Sequence, residues 1–353
     1  MRVLIAAGLC LVYAHALAGA PDERKTPDGD KKKSGKPAPA AAPKSGVKTP
    51  GVQIPFDNLK AEAEIPIETP GLITVPGPIA AASILVPNRI KDVVMRIDGK
   101  TNQPIEPIAN LKQPCSSAIA AFGTLWVAGC EAKTLARIDP KTGKITATLS
   151  IGAADVMSGV VATPDSVWMF TDSKTTLSRI DPEDNKVVEE LRLPANCNSL
   201  AYGENSLWVT CPSEPRILRI NPATNLVDKR IEVSAGPRAV AFGANSVWVL
   251  CEKEGKVERI DPKTNKVLKT IDLAVPNAAG NLAFGEGFLW VTQTGFPLTR
   301  IDPQNDQERV AQQFWGDGGG LISISPGAIW LSNVNKSSIW RIDPKRVIAT
   351  LAE

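Results

Sequence analysis

Enzymes that move protons near neutral pH usually recruit histidine, and this chain has a single one, His15. It falls within residues 1–20, MRVLIAAGLCLVYAHALAGA, where Arg2 precedes the apolar run Val3–Tyr13 and the small residues Ala16-Leu17-Ala18. A positive start, an apolar middle and an A-x-A end mark a secretory signal peptide. Residues 1–18 are expected to be removed on export, leaving a chain without imidazole. Ser-His-Asp and Cys-His catalysis, and histidine metal ligation, are excluded for that chain. It also lacks P-loop, HExxH and EF-hand patterns. Five cysteines remain (Cys115, Cys130, Cys197, Cys211 and Cys251), together with scattered carboxylates and amides.

Those groups need elements to position them. Residues 21–50 cannot be such elements, because they hold six prolines and almost no large apolar side chains. Such a segment does not bury enough surface to offset its ordering entropy. Residues 19–70 are read as a disordered Pro/Ala/Lys-rich linker. Residues 21–50 carry a charge of +4, so the folded remainder from residue 51 is close to neutral, at about −2. Nucleic-acid binding gains no support from that balance. The Lys31-Lys32-Lys33 run could rest on an anionic envelope surface.

The rest of the chain is repetitive. Arg-Ile-Asp-Pro or a close variant begins at Arg96, Arg137, Arg179, Arg219, Arg259, Arg300 and Arg341, at spacings of 40 to 42 residues. A second marker keeps the same phase: Trp126, Trp168, Trp208, Trp248, Trp290 and Trp330, with Leu85 in the first copy. The fourth copy resolves into four strands, Ser199–Tyr202, Leu207–Thr210, Ile217–Ile220 and Val227–Ile231, with Gly, Asn and Pro at the turns. Four antiparallel strands per 40 residues, repeated seven times, predict an all-β fold: a seven-bladed β-propeller of four-stranded antiparallel blades over residues 71–353. Val347–Leu351 reads as the outer strand of the last blade. Each blade is expected from one contiguous repeat, unless Val52–Ile67 supplies an extra strand. The tryptophans should pack between blades. The Arg and Asp of each motif share one face of their strand and should hold blades together. Tyr202 occupies a position filled elsewhere by Phe122, Phe242 and Phe284, so it is read as core.

In this register the innermost strand starts, and the second strand ends, at the same edge of a hairpin. Cys115 and Cys130 meet there in the second blade, and Cys197 and Cys211 in the fourth, so two disulfides are predicted. Cys251 finds Pro237 at the partner position and should be a free thiol.

The segment Phe242-Gly243-Ala244-Asn245-Ser246-Val247-Trp248-Val249 with Arg259-Ile260-Asp261-Pro262 resembles the propellers of the virginiamycin B lyase (streptogramin lyase) family. It is also similar to YVTN-type repeat proteins exported by many bacteria. The resemblance spans all seven units. It implies a lyase that opens a cyclic depsipeptide lactone with a histidine base and a metal held by acidic side chains near the central channel. No histidine beyond His15 is present to match that base.

Any activity should lie where the repeats differ, in loops around one mouth of the channel. Before the innermost strands these are Ser117, Ser158, Asn198, Arg238, Asn281 and Asp317; after the second strands, Arg89, Glu131, Asp172, Glu252, Gln293 and Asn333. No cofactor is predicted, although such oxygen ligands suit calcium or magnesium. Asp317-Gly318-Gly319-Gly320 stands out for its backbone freedom. The sequence thus predicts a secreted or periplasmic, monomeric propeller that binds a protein, peptide or glycan at the channel mouth. A metal-dependent lyase or lactone hydrolase is the alternative.

Overall fold

The computed structural model describes residues 51–75, 83–151, 159–172, 175–304, 310–333 and 335–350. The expected signal peptide and residues 19–50 of the expected linker lie outside these. The described residues form seven antiparallel blades in a β-propeller, numbered 1 to 7 along the chain. Strands within a blade are lettered a to d outward from the channel. Blade 4 shows the pattern: Ser199–Gly203, Ser206–Thr210, Arg216–Asn221 and Leu226–Glu232, each antiparallel to the next. Blades 2, 3 and 5 repeat it. In blade 1, strands b to d form one sheet, and among the described residues Thr74 bridges to Leu85 of strand b.

Seven separate apolar layers fill the seams between blades. Each repeated tryptophan faces the following blade, and each Ile of the repeated motif faces the preceding one. Trp126 packs with Val167, Met169 and Ile180 of blade 3. Trp208 packs with Val247, Val249 and Ile260 of blade 5. Trp330 of blade 7 packs with Ile84, Val86 and Ile97 of blade 1, which closes the ring. All six of these tryptophans are essentially inaccessible to solvent. The seams admit little change. A Cβ on Gly203 would lie 2.1 Å from the Phe242 ring of blade 5, and one on Gly243 would lie 2.1 Å from the Phe284 ring of blade 6.

The repeated arginine fastens each seam at its rim. Arg219 lies over Trp208 at 5.2 Å from the ring centroid. Its Nη1 donates to the carbonyl of Pro262 and to Asn265 Oδ1 in the next blade. Arg137 and Arg179 repeat this onto Pro182 and Asn185, and onto Pro222 and Asn225. Arg341 of blade 7 does the same to Gly99 and Asn102 of blade 1. The aspartate of the motif shapes the turn that receives the arginine. Asp139 Oδ1 accepts the N–H groups of Lys141 and Thr142. Asn185, Asn225 and Asn265 sit at positive φ in these turns, a conformation asparagine tolerates better than most residues.

The ends of the chain depart from the sequence reading. Val347 and Ile348 are not strand but part of the helix Pro344–Ala349. Asp343 caps that helix by accepting from Lys345 N–H, and Pro344 starts it with a preset φ. The outer strand of blade 7 is instead Ala63–Pro66, antiparallel to Ser338–Ile342. Blade 7 is therefore not contiguous in sequence. Val52–Pro55 adds a fifth strand to blade 6, parallel to Val310–Trp315. Residues 51–70 therefore belong to the propeller rather than the linker. Their apolar side chains explain why: Phe56, Leu59, Ile65 and Ile67 are all buried. Phe56 stacks on Trp340 at 5.0 Å and meets Phe314 edge-on at 6.5 Å.

The N-terminal strap should accordingly act as core. Phe56→Ala should cost about 3–5 kcal/mol, like truncation of other fully buried aromatics. Urea unfolding followed by tryptophan fluorescence measures this, and a change under 1 kcal/mol would show that the strap is dispensable.

Candidate functional site

The channel mouth is built where strands a begin and strands b end, and both predicted disulfides are there. Cys115 bonds Cys130, and Cys197 bonds Cys211. Each pins the entry to strand a against the exit of strand b in one blade. Cys251 is free and buried in the seam between blades 4 and 5. Burial, reinforced by the Glu258 and Glu254 carboxylates, pushes its thiol far above the usual range, so it is unreactive in the folded protein.

The candidate side chains of the mouth fall into two groups. The first ties loops or blades together. Arg238 Nη1 pairs with Glu252 Oε2 at 2.9 Å, both half-buried. The Thr210 hydroxyl lies 3.2 Å from Asn198 Oδ1 and 3.1 Å from the Arg238 carbonyl, linking blades 4 and 5. Asn281 N–H donates to Thr292 Oγ1, and that hydroxyl donates to the Gly320 carbonyl, linking blades 6 and 7. Ser117 Oγ accepts from Val160 N–H of blade 3. Gln293 is buried and donates to the Val275 carbonyl. Asn333, also buried, accepts from Lys336 N–H. The second group is exposed: Arg89, Glu131, Asp317, and Asp172, which pairs with Arg192 at 2.9 Å. Ser158 lies outside the described residues. The structure thus joins Arg238 with Glu252 and Asn198, and leaves the others around the rim.

The glycines after Asp317 have a packing cause. Gly318 and Gly319 have φ of 123° and 100°. A Cβ on Gly319 would lie 2.4 Å from the Gln293 carbonyl oxygen, and one on Gly320 2.3 Å from that of Ser332. The chain crosses the ends of two strands too closely for a side chain. Among the described residues, no three His, Cys, Asp or Glu side chains stand close enough together to hold a metal ion. The expectation of calcium or magnesium has no carboxylate ligand set among them.

The opposite face holds clefts that the sequence reading missed. Between blades 2 and 3 lies one of about 770 Å³, with Phe122, Arg137, Asp165 and Arg179 in its walls. Another of about 600 Å³, between blades 3 and 4, includes Tyr202, Arg219 and Asp228. Tyr202 is accordingly only half-buried. The available signal was Pro164-Asp165, which replaces the Glu204-Asn205 type of a–b turn. Arg179 is fully engaged there, with Nε on Ser166 Oγ and Nη2 on Asp165 Oδ2 at 2.8 Å.

The turns on this face also titrate. Hydrogen bonds from Thr142 and Lys141 N–H hold Asp139 below its ordinary value of 3.8, and Asp98, Asp181 and Asp261 are lowered in the same way. A carboxyl with a depressed folded pKa stabilises the fold above its unfolded value, and that contribution is lost as pH falls through the folded value. Asn keeps the acceptor without the charge. Asp139→Asn should lower neutral-pH stability modestly and make the acid limb of stability below pH 3.8 shallower. Thermal melts across that range check this; an unaltered acid limb would contradict it.

No family model and no curated protein matches the sequence. Solved structures do match its fold. Virginiamycin B lyase from Staphylococcus aureus aligns with a TM-score of 0.65 at 18% identity, over 80% of this chain and 98% of that one. Hydrazine synthase from Kuenenia stuttgartiensis aligns at 0.65 and 15% identity, over 80% and 97%. BamB from Moraxella catarrhalis aligns at 0.57 and 10% identity, over 74% and 81%. At these identities the likeness is one of fold, and by fold the chain is a seven-bladed propeller similar to virginiamycin B lyase.

Proposed function

We propose that this chain is an exported, non-catalytic binding module that takes a protein, peptide or glycan at the channel mouth. The observation that carries the reading is the Arg238–Glu252 pair at 2.9 Å, set between loops that disulfides and cross-blade hydrogen bonds hold in place. A rim fixed before binding loses little conformational freedom when a partner docks. Exposed Glu131, Asp172 and Asp317 add charge around it. Two disulfides fit an oxidising compartment. No helix among the described residues is long and apolar enough to cross a membrane.

Photo-crosslinking tests the reading. A crosslinkable residue at Glu131 or Asp317 should capture a discrete partner from the envelope or culture fluid of the native host. The same residue at Thr264, on the opposite face, should not. Absence of a mouth adduct, or equal labelling from both faces, would refute it.

The alternative, a metal-dependent lyase or lactone hydrolase, draws support from the fold of virginiamycin B lyase, which has been solved with quinupristin. Protein lacking residues 1–20 should leave quinupristin unchanged on reversed-phase chromatography in the presence of magnesium. A new product peak lost on chelation would establish the lyase reading instead.

A further inference from the structure

The strand-c arginines follow a rule: Nε finds a partner within the domain, Gln312 for Arg300 of blade 6 and Glu62 for Arg341 of blade 7. The two arginines whose Nε has none among the described residues sit side by side in blades 1 and 2. In blades 3, 4 and 5 the arginine Nε donates to a serine hydroxyl of its own blade: Arg179 to Ser166, Arg219 to Ser206 and Arg259 to Ser246. In blade 2 that serine is replaced by Thr124, whose hydroxyl donates to the Ile138 carbonyl. Arg137 keeps its bonds to Pro182 and Asn185, but its Nε–Nη2 edge has no partner among the described residues. In blade 1 Ser83 keeps the serine position, but no bond from Arg96 to it is formed, and two other partners are lost. Leu85 stands where a tryptophan would lie beneath Arg96, and Gly143 stands where the next blade would offer an asparagine. The half-buried Arg96 makes no hydrogen bond or ion pair among the described residues.

The surroundings are basic on balance, with five cationic side chains (Arg96, Lys100, Arg137, Lys141 and Lys144) against the two carboxylates of Asp98 and Asp139. Exposed Lys100, Lys141 and Lys144 lie in the c–d turns of blades 1 and 2, beside Arg96 and Arg137. The acidic groups of those turns, Asp98 and Asp139, are engaged with turn N–H groups. Across the 770 Å³ cleft the sign reverses, its blade 3 wall carrying Asp165, Asp181 and Glu183 with Arg179. Phe122 and Arg137 form the ridge shared by that cleft and a neighbour of about 340 Å³. The folded part of the chain is slightly acidic overall, so this basic sector is local.

We propose that the c–d turn face of blades 1 and 2 docks an acidic peptide segment of a protein partner. The guanidinium edges of Arg96 and Arg137 that have no partner among the described residues receive its carboxylates, since planar forks match carboxylate geometry. Phe122 offers an apolar contact on the ridge, and the acidic flank of blade 3 confines the negative segment to blades 1 and 2. This does not rest on the mouth reading, because the two sites lie on opposite faces.

Fluorescence anisotropy with a labelled peptide of alternating glutamate and alanine tests it. Arg96→Glu and Lys144→Glu should each weaken binding about tenfold, and Lys263→Glu on blade 5 should not. The matching lysine–alanine peptide should not bind. Arg137→Ala removes a seam contact, so these two exposed-edge variants carry the test, with circular dichroism confirming their fold. Unchanged affinity in both would overturn the proposal. So would tighter binding of heparin than of the peptide, which would mark a generic polyanion site.

Discussion

The arginine of blades 2, 3, 4 and 7 makes a contact that no single blade can make alone. Its guanidinium lies over the tryptophan of its own blade while Nη1 reaches a carbonyl and the asparagine of the next blade's turn. The stacking accounts for about 0.5–2 kcal/mol at each such seam, and the tryptophan below excludes water from most of the seam. One side chain therefore sets both the spacing of adjacent blades and the shape of the turn between them. The geometry also explains why arginine recurs where lysine never does. An ammonium could lie over the ring, but it could not present two planar N–H groups to a carbonyl and an amide at once.

That contact recurs around most of the ring, and elsewhere it changes hands. At blade 7 it closes onto blade 1 through Arg341 and Asn102. At blade 6, Arg300 lies over Phe288 and donates to Gln312, which in turn donates to the carbonyl of Val347 in the C-terminal helix. Burial lowers the Arg300 pKa from its ordinary value, so the glutamine relay also serves to satisfy a desolvated cation. The helix follows in sequence where a contiguous seventh outer strand would, and the N-terminal strap supplies that strand instead. Closure by a distant segment ties the two ends of the domain together. The last blade then cannot peel away without giving up the burial of Phe56 and Ile65.

The extent to which this was legible follows from the same contacts. Arg-Ile-Asp-Pro and the tryptophan were readable because each serves an identical seam and must recur in phase. The Cys115–Cys130 and Cys197–Cys211 pairs were readable because strand register alone brings them together. The ends were not. Val347–Leu351 alternates like a strand, but Asp343-Pro344 is equally able to cap a helix, and only the packed strap at Ala63–Pro66 settles which form it takes. Val52–Ile67 carries neither marker, so its apolar residues allow an extra strand without showing which blade it joins. At the mouth, residue type gave no distinction between Asn198, which is buried and tied to Thr210, and Asp317, which faces solvent. Burial there depends on which neighbouring loop crosses above.

Repetition gives a stricter way of looking for function than residue type does. A side chain that recurs in every blade is answerable to the ring, and its charge is matched by partners that recur with it. A position where the partner is lost and the charge retained is different. Trp gives way to Leu85 and Asn to Gly143, and either change alone weakens one seam. Together they leave Arg96 with nothing to hold among the described residues, while the blade 1 to blade 2 seam still closes through Leu85, Ile108, Leu125 and Ile138. A half-buried cation retained after both of its structural reasons have gone is hard to ascribe to the scaffold. Its four cationic neighbours, Arg137, Lys100, Lys141 and Lys144, face the same way because the c–d turns of a propeller all open onto one face. The fold turns a loss of symmetry in two blades into a single patch, and the chemistry of that patch, open guanidinium edges beside lysines, selects carboxylates.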